Sequence, residues 1–221
     1  MNFEELGLCK EIISSINEKG YENPTEIQRI AIPHILMGRD LLGCAQTGTG
    51  KTGSFVMPLA EILSSGKSKS RMPRSLILAP TRELAMQVAE EFNFINKFLK
   101  LQMALLIGGV SFTEQDNKLA KGVDVLVATP GRLIDHIERG KVIIKDVKIL
   151  IIDEADRMLD MGFIPDIMKI NKLLPKIRQT LFFSATLSSE IRKIGKNLLI
   201  NPKEITISPY SSTSSNIDSY F

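Results

Sequence analysis

Three carboxylates follow directly on a hydrophobic run at residues 149–156, which read ILIIDEAD. Crowding negative charge at the end of such a run is electrostatically costly unless a cation lies opposite. Asp153 can hold Mg²⁺ through the water shell of the metal, and Glu154 can orient or deprotonate an attacking water. An acidic helix N-terminus stabilised by its dipole is the alternative, and it accounts for one or two of the acids. The pattern favours one half of a site that hydrolyses a nucleoside triphosphate.

The other half is predicted at residues 45–52, which read AQTGTGKT. Gly48 and Gly50 allow backbone N–H groups to curl round phosphate oxygens, while Lys51 supplies a cation and Thr52 a hydroxyl for Mg²⁺. The pattern GxxxxGK[ST] fails at its first position, which is an alanine, but the mechanism does not need that glycine. A glycine-rich turn that caps a helix is the alternative. The strand–turn–helix context favours a P-loop, with phosphate contacts from Ala45, Gln46, Thr47, Gly48, Thr49, Gly50, Lys51 and Thr52.

Short hydrophobic runs that could position these motifs occur at residues 40–45, 75–80, 104–109, 124–129, 149–153, 180–186 and 204–208. Most are continuous rather than alternating, which predicts parallel strands covered on both faces. Segments of helical period lie between them, at residues 51–64, 82–99, 130–139 and 188–199. We therefore expect an α/β domain with an open, mainly parallel sheet of about seven strands and helices on both faces. Ligands bind such sheets at the carboxyl ends of the strands, so Asp153 is predicted to end a strand neighbouring that of the P-loop.

Composition limits the class of protein and the compartment in which this site can occur. The chain has 221 residues and a net charge of only +3, so bulk charge does not indicate a nucleic-acid partner. No hydrophobic run approaches the ~20 residues of a membrane helix, and the first residues carry acids where a signal peptide carries bases. Cys9 and Cys44 have no metal-type spacing and fit a reducing compartment, so we expect a cytoplasmic protein. Residues 67–74 are predicted to form a mobile loop, and the serine-rich residues 208–221 a linker to a further domain.

With the motifs around it, the DEAD sequence at residues 153–156 resembles the DEAD-box family of ATP-dependent RNA helicases. The resemblance spans nearly the whole chain. Its further motifs are GYENPTEIQ (20–28, the Q motif), AQTGTGKT (motif I, with its alanine), PTRELA (80–85, motif Ia), Gly108–Gly109 (motif GG), TPGR (129–132, motif Ib) and SAT (184–186, motif III). It implies one RecA-like domain over residues 1–207, with an adenine-pocket segment at 1–28. It also implies that 208–221 is the interdomain linker and that the second RecA-like domain is absent from this chain.

The resemblance also assigns roles in binding ATP or ADP with Mg²⁺. Gln28 would read adenine, because an amide offers a donor and an acceptor to the base. Phe3 would stack on the base, while Tyr21 and Thr25 shape the pocket; from the residues alone, Thr25 is a helix N-cap and Tyr21 a core aromatic. Thr52 and Asp153 would hold Mg²⁺, partly through water. The resemblance implies catalytic roles for Lys51, Asp153 and Glu154.

Motifs Ia, GG and Ib would contact RNA through its backbone, without sequence specificity. Threonines that precede helices offer hydroxyls and free N–H groups to phosphates, glycines allow close approach, and arginines add charge. The alternative reading, caps and turns that join strands to helices, is compatible with this role. Ser184 and Thr186 could hydrogen-bond Asp156 and couple the two sites. The predicted RNA contacts are Pro80, Thr81, Arg82, Gly108, Gly109, Thr129, Pro130, Gly131 and Arg132.

Taken as a whole, the resemblance implies an ATP hydrolase coupled to RNA unwinding, acting as a monomer. The family's second domain supplies arginine fingers from an HRxGRxxR-type segment, and this chain has none. We therefore expect this domain to bind nucleotide but to hydrolyse it slowly by itself. A DNA-directed helicase and a non-catalytic nucleotide-binding scaffold are the rival interpretations. His34 and His136 lack a triad pattern and are predicted to be ordinary surface or helix residues.

Overall fold

The computed structural model describes residues 2–66 and 72–207, and its strands form one sheet. Its seven strands are β1 (Leu41–Cys44), β2 (Ser75–Leu78), β3 (Met103–Leu106), β4 (Val125–Ala128), β5 (Ile149–Ile152), β6 (Gln179–Ser184) and β7 (Lys203–Thr206). Their order is β3-β4-β2-β5-β6-β1-β7, and every neighbouring pair is parallel. The α/β fold and the predicted strands are confirmed. The sheet is wholly rather than mainly parallel.

The helices of the described residues are α1 (Lys10–Glu18), α2 (Glu26–Leu36), α3 (Lys51–Ser64), α4 (Arg82–Ile95), α5 (Phe112–Ala120), α6 (Pro130–Glu138), α7 (Ala155–Asp160), α8 (Ile164–Leu173) and α9 (Ser189–Leu198). Short 3₁₀ turns occur at Glu4–Leu6 and Asn96–Phe98. The four predicted helices are confirmed, although the one predicted over 82–99 changes to a 3₁₀ turn at Asn96. The sequence pattern gave no bounds for α1, α2, α5, α7 and α8, and of these α7, with six residues, is too short to show a helical period.

Two hydrophobic layers cover the sheet, one on each face. Side chains that alternate along a strand enter different layers, so Ile149 and Ile151 pack in one while Leu150 and Ile152 pack in the other. The first layer receives Ile12 of α1, Ile27 of α2, Phe55 of α3 and Phe92 of α4. The second receives Leu119, Leu133, Met158, Ile167 and Ile191, from α5 to α9. Because strands buried on both faces need apolar residues at every position, this arrangement explains the continuous hydrophobic runs.

The sheet carries the predicted motifs at a single edge, where the carboxyl ends of its strands meet. Ala45 follows β1, Thr129 follows β4, Asp153 follows β5, and Ser184 ends β6. One prediction is wrong in detail, because β6 lies between β1 and β5 and Asp153 does not end a strand adjacent to the P-loop strand. Two strand spacings amount to roughly 10 Å. A long side chain is therefore needed to join the two motifs.

Among the described residues, no helix has both the length and the apolar character needed to cross a bilayer. The loop predicted over residues 67–74 is described only from residue 72 onwards, and the linker predicted at 208–221 lies outside the described residues.

Candidate functional site

The turn between β1 and α3 takes a shape that requires glycine. Gly48 and Gly50 have φ values of 83° and 84°, in the left-handed region that L side chains rarely adopt. At Gly50 a Cβ atom would also lie 2.6 Å from Thr25 Oγ1 and 2.8 Å from Gln28 Nε2, so no side chain fits there. The Thr49 hydroxyl donates to Gln46 O at 2.7 Å and closes the turn. The loop is thus held in an open curl against the start of α2.

Gln28 ties that curl to the segment predicted to bind the base. Its side chain is 4% exposed, its Nε2 donates to Gly50 O at 3.1 Å, and its Oε1 accepts from Thr25 N–H at 3.0 Å. The second contact belongs to a capping box, because Thr25 is the N-cap of α2. Thr25 therefore does what the sequence alone predicts and also lies against the P-loop. One N–H and one lone pair of the Gln28 amide remain for a ligand.

Lys51 bridges the P-loop and the acidic segment across β6. Its Nζ lies 3.0 Å from Asp153 Oδ1 and 3.8 Å from Glu154 Oε1. The Lys51 and Asp153 side chains are each only 5% exposed. Burial raises the pKa of Asp153 above its ordinary value, and the Lys51 ammonium offsets this only in part. The two motifs that sequence analysis assigned to phosphate and Mg²⁺ therefore face each other through a buried ion pair.

Glu154 has a strained backbone. Its φ and ψ are 54° and 53°, a left-handed conformation that is uncommon outside glycine, asparagine and aspartate. Its N–H donates to Asp153 Oδ1 at 3.0 Å, and it is the N-cap residue of the short helix α7. Such strain persists where the surrounding structure imposes it, and it often marks a functional site.

A cavity of about 300 Å³ opens over these groups. The P-loop, the acidic segment and Gln28 line one part of it, and α4 lines another with Leu84, Gln87, Val88 and Glu91. Tyr21 also lines the cavity and is 37% exposed, with Lys19 Nζ 5.0 Å from the centre of its ring. Phe3 is 4% exposed and belongs to the hydrophobic core. The aromatic ring available to a base in this conformation is therefore that of Tyr21, and the stacking predicted for Phe3 stays a prediction.

The three segments predicted to contact RNA, residues 80–82, 108–109 and 129–132, are here called the RNA-contact edge. Thr81 Oγ1 accepts from Leu84 N–H at 3.3 Å and caps α4. Thr129 is the N-cap residue of α6, but its hydroxyl makes no cap hydrogen bond and stays available. Nothing lies within 4 Å of where a Cβ would stand at Gly108 or Gly131, so another backbone can approach closely there. Pro80 and Pro130 are buried.

Two arginines hold the middle segment of this edge from different sides. The Arg82 guanidinium packs against Gly109, where any side chain would collide with it, and Gly109 has a φ of 75°. Arg132 donates from Nη2 to Val110 O at 2.6 Å. Each arginine thus links its own segment to the loop at residues 108–110, and part of each arginine is engaged within the protein.

Asp156 connects the acidic segment to residues 184–186. Its Oδ2 accepts from the Thr186 hydroxyl and from Ala185 N–H, each at 3.2 Å. The prediction that Thr186 bonds Asp156 is confirmed. The same prediction for Ser184 is wrong, because Ser184 is fully buried and its Oγ accepts from Thr186 N–H at 3.4 Å. The second contact with Asp156 comes from the backbone N–H of Ala185. A sequence motif cannot indicate such a contact, because every residue except proline has a backbone N–H.

A family model described as DEAD/DEAH box helicase matches residues 25–194, more than half of the chain. The chain belongs to the DEAD/DEAH box helicase family. It is 45% identical over 208 residues to an ATP-dependent RNA helicase DeaD of Buchnera aphidicola, covering 94% of this chain and 34% of that protein. It is 43% identical to the DEAD-box ATP-dependent RNA helicase 52A of Oryza sativa over 93% of this chain and 37% of that one.

Solved structures agree with this membership. A DEAD box protein from Methanococcus jannaschii superposes with a TM-score of 0.87 at 41% identity, over 93% of this chain and 56% of the other. The sheet and helices described above are therefore those of a RecA-like DEAD-box domain. The chain spans about a third of the length of the curated relatives it matches.

Two buried polar residues of this DEAD/DEAH box helicase chain have partners that the sequence interpretation did not name. His136 lies in a helix, one of the two places predicted for it, and is fully buried there, with Nε2 2.9 Å from Gln115 Oε1 and Nδ1 3.1 Å from Asp116 Oδ1. Gln115 is only 2% exposed and also contacts Arg132. No sequence signal marks Gln115, since a single glutamine on a mostly polar helix is normally exposed.

Proposed function

We propose that this chain is the ATP- and Mg²⁺-binding first RecA-like domain, residues 1–207, of an ATP-dependent RNA helicase. The observation that carries the proposal is the Lys51 bridge, 3.0 Å from Asp153 and 3.8 Å from Glu154 at the wall of the cavity. A buried lysine and two carboxylates beside a glycine-rich turn form a suitable site for a triphosphate and a divalent cation. The relatives named ATP-dependent RNA helicase support the same assignment.

The residues around the cavity fit a nucleotide. The N–H groups of the turn from Gly48 to Thr52 are placed at the start of α3, where the helix dipole favours anions. Lys51 would exchange its carboxylate partner for phosphate oxygens when nucleotide binds. Gln28 would read adenine with the N–H and lone pair that its bonds to Gly50 and Thr25 leave free. Tyr21 offers its ring to the base.

The donor set also fits Mg²⁺. Among residues 2–66 and 72–207, no group of three or more His, Cys, Asp or Glu side chains could hold a metal ion by itself. Mg²⁺ usually keeps several waters and binds through one or two protein ligands plus substrate phosphates. We assign Thr52 and Asp153 as those ligands, the latter through water. Bound there, the ion would neutralise charge on the phosphates.

Hydrolysis by this domain alone is expected to be slow. Glu154 would orient or deprotonate the attacking water, while Lys51 and Asp153 hold the phosphates and the cation. Arginine fingers, which contribute about 10³- to 10⁵-fold in rate in related enzymes, would come from a second RecA-like domain. The chain lacks the HRxGRxxR-type segment of that domain and spans a third of its relatives. We expect the intact protein to act as a monomer that closes its two domains on RNA.

The RNA-contact edge would bind the sugar-phosphate backbone. Its free Thr129 hydroxyl, the open space over Gly108 and Gly131, and its two arginines all suit phosphates rather than base edges. Binding should therefore be insensitive to base sequence. Asp156, bonded to Thr186, would transmit the state of the nucleotide site toward this edge.

The test compares ATP hydrolysis by the intact protein with and without a single-stranded RNA, a DNA of the same sequence, and GTP in place of ATP. We expect stimulation by RNA, little by DNA, and no use of GTP. Lys51→Ala should abolish turnover, and residues 1–221 alone should turn over at a small fraction of the stimulated rate. Equal stimulation by DNA would instead support a DNA-directed translocase. Turnover unchanged in Glu154→Gln would favour a non-catalytic nucleotide-binding scaffold.

A further inference from the structure

Gln115 joins three segments of the chain through one buried amide. Its Nε2 donates to Ile107 O at 2.9 Å, just before the glycine pair of the RNA-contact edge. Its Oε1 lies 3.2 Å from Arg132 Nε and 2.9 Å from His136 Nε2, both on α6. The loop after β3 and the first turns of α6 are thus held together by a residue of α5.

The partners of Gln115 fix which way its amide points. A backbone carbonyl only accepts, so the NH₂ group must face Ile107. The Arg132 Nε–H only donates, so the oxygen must face Arg132. A carboxylate would lose the first contact, and a hydrophobic side chain of similar length would lose every one of these contacts. Few residues other than glutamine can meet both demands in this buried position.

Arg132 is held at several points as a result. Its Nε donates to Gln115 and its Nη2 to Val110 O, and its guanidinium lies 3.3 Å from the centre of the Phe112 ring. Arg139 packs against the same ring at 3.8 Å. A guanidinium is planar and has five N–H donors, so fixing two of them fixes the direction of the other three. Those three remain for an outside anion.

We propose that Gln115 is a positioning residue, which sets Arg132 and the Gly108–Val110 loop in the geometry that binds the RNA backbone. The inference rests on the proposed function, because it assigns the RNA-contact edge to RNA. Holding the arginine and the loop before RNA arrives lowers the entropy that binding must otherwise remove. Gln115 itself is buried and acts through Arg132 and through the loop.

The test measures binding of a single-stranded homopolymeric RNA to the intact protein with a non-hydrolysable ATP analogue. Gln115→Met should raise the Kd for RNA about tenfold, the size expected when a buried donor and acceptor lose their partners. Affinity for ADP without RNA should not change, which also shows that the variant is folded. Gln102→Met, the same substitution at an exposed glutamine, is the matched control and should bind RNA normally.

A double-mutant cycle separates positioning from general destabilisation. Arg132→Lys should also weaken RNA binding about tenfold, since lysine cannot reproduce the fixed fork. Because Gln115 acts through Arg132 as well as through the loop, the double variant should lose clearly less affinity than the product of the two single losses, about a hundredfold. Should Gln115→Met fail to fold, Phe112→Leu removes the stacking face instead, with about threefold weaker binding expected and the same lack of additivity.

Each outcome has a clear consequence. Normal RNA binding by Gln115→Met, or losses that multiply to about a hundredfold in the double variant, would overturn the positioning role. If the wild-type protein binds RNA and depends on Arg132 but not on Gln115, the proposed function stands and this inference alone fails. If the wild-type protein does not bind RNA, both fail.

Discussion

Asp156 and Thr186 are joined by a 3.2 Å hydrogen bond from the threonine hydroxyl to Oδ2 of the carboxylate. The two residues follow β5 and β6, which are adjacent in the sheet. Lys51, the first residue of α3 after the turn that follows β1, contacts Asp153 only three residues before Asp156. The P-loop and the segment after β6 are therefore linked by the Lys51–Asp153 ion pair, the chain from residue 153 to 156, and the Asp156–Thr186 hydrogen bond.

Thr186→Val should weaken the link between RNA and ATP turnover while leaving nucleotide binding intact. Valine keeps the shape of threonine but cannot donate to Asp156, although Ala185 N–H still can. We expect the affinity for ADP to stay within about twofold and the unwinding rate to fall about three- to tenfold, as the loss of one solvent-exposed hydrogen bond predicts. Parallel ADP titrations and strand-separation assays measure the two effects.

Thr206→Val is the control for that substitution, because Thr206 is exposed at the end of the edge strand β7. It should leave the affinity for ADP and the unwinding rate unchanged. If Thr186→Val unwinds RNA as fast as the wild-type protein, the bond to Asp156 is not part of the coupling.

Lys51→Ala should destabilise the nucleotide-free protein as well as abolish ATP binding. It leaves the buried Asp153 carboxylate without its cation, and breaking such a pair typically costs about 3–5 kcal/mol. Adding Asp153→Asn should recover much of the lost free energy of unfolding, since an amide carries no charge to desolvate. Urea unfolding of the two single variants and the double variant gives these values.

This destabilisation should depend on pH in one direction. Burial raises the pKa of Asp153 in the folded protein, and without Lys51 nothing as close offsets it. The folded state then holds its proton to higher pH than the unfolded state, whose pKa is about 3.9. The penalty of Lys51→Ala should therefore be small near pH 4 and grow as the pH rises through the folded pKa. A penalty that is constant across this range would contradict the assignment.

Glu154→Gln and Glu154→Gly should both abolish hydrolysis but differ in stability. Neither variant has a group at this position that can deprotonate water. Single-turnover hydrolysis should therefore fall at least about 100-fold, within the range of general-base effects, while ATP still binds. Glycine adopts the left-handed conformation without strain, so Glu154→Gly should be more stable than Glu154→Gln by about 1 kcal/mol. Equal stabilities would mean that the φ of 54° at this position is not strained.

Much of the fold was predictable because the hydrophobic patterns of its strands and of its helices are both visible in the sequence. Strands buried on both faces need unbroken apolar runs, and ILII before Asp153 is such a run. The order of the strands in the sheet cannot be derived from these patterns. Nothing in the sequence places β6 between β1 and β5, so the reach required of Lys51 appears only in the structure.

The site was predictable where a residue type carries the chemistry, as with Lys51 and the glycines of the P-loop. It was not predictable where the work is done by backbone atoms or by buried polar contacts. The Ala185 N–H that reaches Asp156 is one example, and the amide of Gln115 is another. His136 illustrates the same limit, because a lone histidine on a helix gives no sign that it will be fully buried.

The burial of His136 predicts a pH-dependent stability. Burial lowers the pKa of His136 below its ordinary value; the Asp116 carboxylate opposes this shift, while Arg132 and Arg139 add to it. The unfolded state, with a pKa of about 6.5, takes up the proton first as the pH falls. The free energy of unfolding should therefore decrease from about pH 6.5 down to the folded pKa, with a slope of at most about 1.4 kcal/mol per pH unit for this one proton. His136→Gln should flatten that slope in urea titrations between about pH 5 and pH 6.5.

His34→Gln is the control for that substitution. The pKa of His34 is also lowered, by burial and by the charges of Lys203 and Arg39, but the contribution of His136 to the slope should remain in this variant. An unchanged slope in His136→Gln would mean that the buried imidazole keeps the same protonation as in the unfolded chain, held by Asp116 at 3.1 Å.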